Sequence, residues 1–320
     1  VSALTRRPLG GSGINVSPLA LGSWQTYERI PRERGAAVLA RAREAGVDFL
    51  EVARYNDRTG TAPIPTGYSE VVFGEVFRAS GWPRDEAFIA NKLWWEFWPD
   101  QSAAQELEAS LGRTGLDHFD FIYSDPPPAA LPMEEVVAAV GELISSGKVR
   151  AWGIVNWPPE RIAEAGRAAA AQGFPKPCAA QLVYSVVARS VVEGPAMTAA
   201  LRECGAGVVA SWTLAGGVLT GKYTSPGAVG RMTGELDSPR TQAAIAAVAR
   251  LQALATELDT TPAALAIAFA LANDDVATVL FGATSPEQVT ENASALAVLD
   301  SLSRAQLDQL RDIAPNQART

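Results

Sequence analysis

The chain has 320 residues, 48% of them apolar and 19% charged, which suits a globular protein with a large core and matches the length of a closed α/β barrel. Its net charge of -8 argues against a broad nucleic-acid-binding surface. No apolar run approaches the ~18 residues of a membrane span, the two cysteines are too few for a disulfide framework, and the opening "VSALTRRPLGG" lacks the apolar core of a signal peptide, so a cytoplasmic protein with reduced thiols and no membrane partner is expected.

In chain order, "RRPLGGSGINVSPLALG" predicts a hairpin with Gly11–Gly13 at its turn, placed under a barrel floor. Short runs rich in Val, Ile, Leu and Phe then recur at Leu19–Trp24, Asp48–Ala53, Ala87–Leu93, Phe119–Asp125, Ala151–Asn156, Ala179–Tyr184, Gly207–Trp212 and Ala277–Gly282. Both faces of these runs are apolar, as parallel strands beneath helices require. Amphipathic segments separate them. Ser102 and Gln105 open Ser102–Arg113 in capping-box spacing, and Met133–Ser146 stops at Gly147. Ala215–Pro239 is Gly-rich without a period and reads as a long loop. Gln242–Leu258 and Ala263–Ala272 both precede the last run, so one helix is extra; Thr261 before Pro262 is a helix start. Eight strands alternating with helices predict a (β/α)8 TIM barrel as a single domain over 1–320, with an N-terminal hairpin and extra C-terminal helices. An open doubly wound sheet is the alternative, but no Gly-x-Gly-x-x-Gly turn follows the first run.

Barrel active sites lie at the C-terminal mouth, so the ends of the runs carry the functional argument. The second run gives Glu51 with Tyr55 beyond it, the third Lys92, the fourth Asp125, the fifth Asn156, the sixth Gln181 and Tyr184. Singly these have plain readings: a rim lysine, a neutralising carboxylate, a packed ring. Together they suggest a tyrosine acid beside a buried Lys–Glu pair, in which the ammonium lowers the phenol's pKa from ~10. "DFIYSDPPP" ends a strand abruptly, because its three prolines forbid continuation after Asp125. Ser285, Pro286 and Gln288 mark a helix start whose free amides favour an anion. "GGVLTGKY" nearly matches a P-loop, but Tyr223 replaces the magnesium-binding Ser or Thr, which excludes nucleotide hydrolysis and leaves a glycine loop with Lys222 able to cover a pyrophosphate. "KLWWEFWPD" places Trp94, Trp95, Phe97 and Trp98 after the lysine, and Trp24 and Trp157 stand at two other strand ends, giving an aromatic pocket wall.

The sequence resembles the aldo-keto reductase superfamily over nearly its whole length. The segments that carry the resemblance are "RPLGGSGINVSPLALGSW", "GKVRAWGIVNW", "AAQLVYSVVAR", "LAGGVLTGKY" and "GATSPEQVTEN", in the family's order. The resemblance implies a (β/α)8 barrel that binds NADP(H) extended across its mouth. It would put Asn156 and Gln181 on the nicotinamide carboxamide and Tyr184 on the ring. Ser211, Leu214, Gly216 and Lys222 would lie along the pyrophosphate. Gly282, Ser285, Gln288 and Asn292 would meet the adenosine end. Many members carry an arginine in that last segment, whereas Thr284–Asn292 holds no Arg or Lys, so NAD(H) is not excluded.

The family's catalytic set is Asp, Tyr, Lys and His. Here Lys92 matches, Glu51 stands for the Asp, and Asp125 stands at the His position; the only imidazole, His118, precedes its strand. The tyrosine falls four residues after the acid instead of five, and the loop beyond is long, with Tyr68 at its far end as the alternative proton donor or a pocket residue. A neutral Asp125 would donate a hydrogen bond to a developing oxyanion, similar to the steroid 5β-reductase branch, in which Glu replaces His and a conjugated C=C is reduced. An ionised Asp125 would instead hold a cationic substrate. The expected function is hydride transfer to or from a carbonyl or a polarised C=C or C=N bond of a small apolar or ring-containing substrate. The alternatives are a nucleotide-binding regulatory subunit, similar to potassium-channel β-subunits, and a non-redox lyase or epimerase.

Overall fold

A computed structural model describes residues 5–57, 60–225 and 227–314. Two short antiparallel strands, β1 (Arg7–Pro8) and β2 (Asn15–Val16), form the expected hairpin. Eight parallel strands follow: β3 (Leu19–Gly22), β4 (Phe49–Glu51), β5 (Phe88–Leu93), β6 (Phe121–Ser124), β7 (Ala151–Val155), β8 (Ala179–Val183), β9 (Gly207–Ser211) and β10 (Val276–Phe281). They pair in chain order, and β10 closes on β3. All eight apolar runs are therefore strands of one closed barrel.

Two apolar layers follow from the period-two alternation of a strand. The outward layer, with Leu50, Ile89, Ile122 and Ile154, packs under the helices. The inward layer contains Phe49, Phe88, Phe121 and Tyr123, whose rings meet edge-on at 4.9 Å (Phe49–Phe88) and 4.8 Å (Phe121–Tyr123). Leu9 and Val16 of the hairpin complete this inward layer, so the hairpin plugs the N-terminal end of the barrel. Gly10 makes the plug possible: with φ +54° it lies against the Cys178 and Gly205 carbonyls, where a Cβ has no room.

The helices start where the sequence marks them. Ser102 and Gln105 form a reciprocal capping box on Ala103–Thr114, and Thr261 caps Pro262–Leu271. The helix expected at Gln242 begins earlier, at Pro239, because Ser238 caps the Thr241 amide and Pro239 takes the first helical position. The segment read as a long loop carries two 3-10 turns, Ala215–Thr220 and Lys222–Thr224, with Gly216 and Gly217 at φ +69° and +92°. No single described helix is long and apolar enough to cross a membrane.

Candidate active site

One step toward the C-terminal end from the inward aromatic layer, the same alternation brings chemistry to the barrel axis. Phe49 leads to Glu51, Ala90 to Lys92, Ala179 to Gln181. Glu51, 2% exposed, is the hub of this cluster. Its Oε1 accepts the Tyr55 hydroxyl at 2.5 Å. Its Oε2 stands 3.2 Å from Lys92 Nζ and accepts the Gln181 side-chain amide. Lys92 Nζ also donates to the Tyr55 oxygen at 3.1 Å. Carboxylate, phenol and ammonium thus close a triangle inside a nearly dry pocket.

The spacing anomaly at Tyr55 is absorbed by a tight bend. The Tyr55 amide bonds back to the Ala53 carbonyl at 2.8 Å, and Ser69 Oγ, bonded to the same carbonyl, also accepts from that amide. Tyr68, the alternative tyrosine, lies on a helix outside the barrel, where its hydroxyl accepts from Arg32 Nη2 at 3.0 Å. It joins neither the Glu51 cluster nor the inward layer. The expected lowering of the phenol's pKa is also reversed. Burial, followed by the adjacent Glu51 charge, pushes Tyr55 well above the ordinary tyrosine range.

Asp125 follows β6 on the same inward register as Phe121 and Tyr123. Its amide is fixed to the Leu93 carbonyl, while its half-buried carboxyl accepts no hydrogen bond from the described residues. Burial pushes that carboxyl above the usual aspartate value, and the Lys92 charge opposes the shift. His118 precedes the strand at the opposite end of the barrel, where its carbonyl accepts from Arg84.

Of the aromatic wall, Trp24 and Trp94 remain at the mouth. Trp94 meets Tyr55 edge-on at 5.8 Å. Trp95 and Trp157 are buried in the outward layer, Trp95 with its indole N–H on Ser124 Oγ. Tyr184 is likewise outward: fully buried, it stacks on Phe269 at 6.0 Å and donates its hydroxyl to Glu193. Alternation accounts for this, since Tyr184 is an odd number of residues beyond the inward Gln181. No ring face of Tyr184 is open to a ligand.

Two residues not singled out from the sequence also stand at the mouth. Trp212, at the end of β9 with φ +59°, lies 5.8 Å from Trp24 at the mouth. Arg231 comes from the glycine-rich segment. Its Nη2 donates to the Trp24 carbonyl at 2.7 Å, its guanidinium lies 4.8 Å over the Trp24 ring, and it adjoins Gly282. The segment is therefore a strap across the tips of β10 and β3. It delivers a cation to the start of Gly282–Asn292, which has none of its own. An aperiodic stretch gives no signal for such a placement.

The remaining expected residues lie around the same rim. Asn156 is exposed, with φ +52° and its amide on the Gln181 carbonyl. Ser211 Oγ donates to the Leu182 carbonyl. Leu214 opens the first turn of the strap, Gly216 packs under Met232, and Lys222 is exposed. Ser285 caps Pro286–Ala293 through the Gln288 amide, Gln288 Oε1 accepts from the Thr284 amide at 2.7 Å, and Asn292 is buried on that helix. The buried Gln181 Oε1 has no partner among the described residues. It is an acceptor waiting for a donor, the complement of a carboxamide N–H.

Comparison with known proteins supplies the remaining evidence. The model of the aldo/keto reductase family matches residues 18–314. The chain is similar to a putative voltage-gated potassium channel subunit beta of Schizosaccharomyces pombe, at 31% identity over 96% of this chain and 92% of the relative. It is similar to a probable voltage-gated potassium channel subunit beta of Arabidopsis thaliana, at 30% identity over 95% of each chain. A protein of the same description from Oryza sativa subsp. japonica is 29% identical over 97% of this chain and 96% of the relative.

Proposed function

The chain belongs to the aldo/keto reductase family, and from that membership we propose that it is an NAD(P)H-dependent oxidoreductase acting on a carbonyl or a polarised C=C or C=N bond of a small, apolar or ring-containing substrate. The observation that carries this reading is the triangle of Tyr55, Lys92 and Glu51 at the barrel mouth. When bound, a reduced nicotinamide supplies the hydride. Gln181 Oε1 and Asn156 would hold its carboxamide, Trp212 would face its ring, and the strap with Lys222 would cover the pyrophosphate. Arg231, Ser285, Gln288 and Asn292 would meet the phosphate and adenosine end, and a guanidinium there favours NADP(H) over NAD(H).

The protein's own part is to move a proton. Tyr55 remains protonated across the physiological range, because burial and Glu51 raise its pKa. Its hydroxyl is a rotor, so a substrate oxygen competes with Glu51 for the hydrogen. As that proton leaves, Lys92 Nζ, already bonded to the phenol oxygen, stabilises the phenolate. In its neutral form Asp125, whose carboxyl burial shifts upward against the pull of Lys92, would donate a second hydrogen bond to the developing substrate oxyanion. Trp24 and Trp94 furnish the apolar wall. Both cysteines are free, which suits a reducing, cytoplasmic setting.

A second reading draws on the relatives named as channel β-subunits: nucleotide binding with little turnover, in a regulatory subunit. One assay separates the two. Purified protein is mixed with NADPH, and loss of the reduced-nicotinamide absorbance is followed across aldehydes, ketones, enones and imines. Consumption with any of them supports the oxidoreductase. Tight NADPH binding with no consumption supports the regulatory subunit, and no binding at all sinks both.

A further inference from the structure

Tyr55 sits at the foot of a loop with little apolar content of its own. The backbone pairs with itself: Asn56 bridges Thr66, Asp57 N bonds Pro65 O at 2.8 Å, and Gly67 N bonds Tyr55 O at 3.0 Å. Ile64 within it is 37% exposed. Burial therefore does little to hold this hairpin against the barrel, yet Tyr55 must keep its hydroxyl on Glu51 and Lys92. A neighbouring side chain provides the anchor.

Arg54 is only 4% exposed at its side chain. Its Nη1 donates to Thr66 Oγ1 at 2.7 Å, at the far end of the hairpin. Its Nη2 donates to Glu96 Oε2 at 2.6 Å, in the loop after β5. Its Nε stands 4.0 Å from Glu106 Oε1, and Glu106 also accepts the Trp94 and Trp95 amides at 2.8 and 3.2 Å. The guanidinium lies 6.0 Å over Trp94 and 5.1 Å over Phe97. Trp94 in turn meets the Tyr55 ring edge-on. One buried cation therefore spans the hairpin that begins at Tyr55, the barrel loop whose Trp94 packs on the Tyr55 ring, and the helix behind that loop.

We propose that Arg54 is the positioning residue for Tyr55: it fastens the hairpin and the Trp94 wall around the phenol so that the hydroxyl stays aligned with Lys92 and the substrate oxygen. A buried guanidinium is costly unless its donors are taken up. Here Nη1 and Nη2 are taken up by groups on separate segments, while the buried Nε has only the Glu106 charge at 4.0 Å, and the two bonded arms make the cation a cross-link. Lysine keeps the charge but lacks the planar fork that reaches Thr66 and Glu96 together. The inference rests on the reading of Tyr55 as proton donor.

The test compares Arg54→Met, Arg54→Lys and Glu96→Gln with the parent, each corrected for folded fraction by NADPH titration. Arg54→Met should lower kcat per folded site about ten- to hundredfold, the scale of a misplacement near 1 Å. NADPH affinity should stay unchanged, and the solvent deuterium isotope effect on kcat should rise as proton transfer becomes limiting. Arg54→Lys should recover part of the loss, and Glu96→Gln, whose side chain is half exposed, should show a smaller change of the same sign. Loss in proportion to folded fraction, with the isotope effect unmoved, overturns the proposal. A readout free of turnover separates this failure from failure of the oxidoreductase reading. Protein carrying 3-fluorotyrosine, with the Tyr55 line assigned by Tyr55→Phe, should show that line shifted or broadened in Arg54→Met; an unchanged line overturns the positioning role even if the parent proves inactive.

Discussion

Glu51 Oε1 takes the Tyr55 hydroxyl at 2.5 Å while Lys92 Nζ holds the same phenol oxygen at 3.1 Å, so acid and ammonium grip the phenol from two sides. Glu51 touches both partners at once, with one oxygen on the phenol and the other 3.2 Å from the ammonium. The cluster stores the proton on Tyr55 and places the ammonium where a phenolate would form.

Lys92→Met should abolish turnover and leave NADPH affinity nearly unchanged, because no residue assigned to the cofactor bonds Lys92. Removing one partner of a buried ion pair costs about 3 kcal/mol or more, so the variant should also unfold at lower denaturant. Stopped-flow hydride transfer and fluorescence titration check the two halves separately. A variant as active as the parent removes the lysine from the mechanism.

Buried phenols contribute to stability at alkaline pH. Tyr27, Tyr55, Tyr123 and Tyr184 all have pKa values raised by burial. In the unfolded chain tyrosine ionises near ~10. The folded state then holds protons that the unfolded state releases, so this stability is fully present below ~10 and is lost as pH rises further. Urea midpoints measured from pH 8 to 11 should decline gently above ~8.5, where the buried Cys178 and Cys204 thiols begin to contribute, and drop steeply above ~10 as the phenols join them. A flat profile contradicts the assignment of these four rings to the interior.

Asp125 gives a pH dependence of opposite meaning for its two roles. As a neutral donor it works below its raised pKa, and activity on an enone falls as pH climbs through that value. Asp125→Asn, a donor at every pH, should flatten the fall. If the carboxylate instead holds a cation, activity on an iminium should increase with pH over the same interval. Asp125→His should raise activity on simple ketones or aldehydes, measured as kcat/KM; inactivation without gain counts against the altered specificity.

Arg231→Gln should weaken NADPH binding about tenfold, the worth of one charge-assisted hydrogen bond. NADH binding should change less if the guanidinium meets the 2′-phosphate. Equal losses for both nucleotides would assign it to the pyrophosphate.

The barrel was legible because eight runs were apolar on both faces and because Ser102, Thr261 and Ser285 announced their helices. Glu51, Lys92 and Gln181 were legible for a related reason: strand ends point their inward side chains at one axis. Tyr184 and Trp95 were placed at the mouth by proximity to those ends, although alternation turns both outward. The helix start at Ser238–Pro239 carries the same signature as Thr261–Pro262, but the glycine-rich stretch before it masks the boundary. Arg231 had no local signature, since its position depends on how a glycine-rich stretch folds back across the barrel.

That return path has a kinetic consequence. Arg231 is pinned to the Trp24 backbone, and Met232 is fastened to the Tyr223 hydroxyl at 2.9 Å behind it. Were a nucleotide bound beneath this crossing, as proposed, those two bonds would have to open before it could leave, and its exchange would then be paced by a rearrangement of the chain and not by diffusion alone.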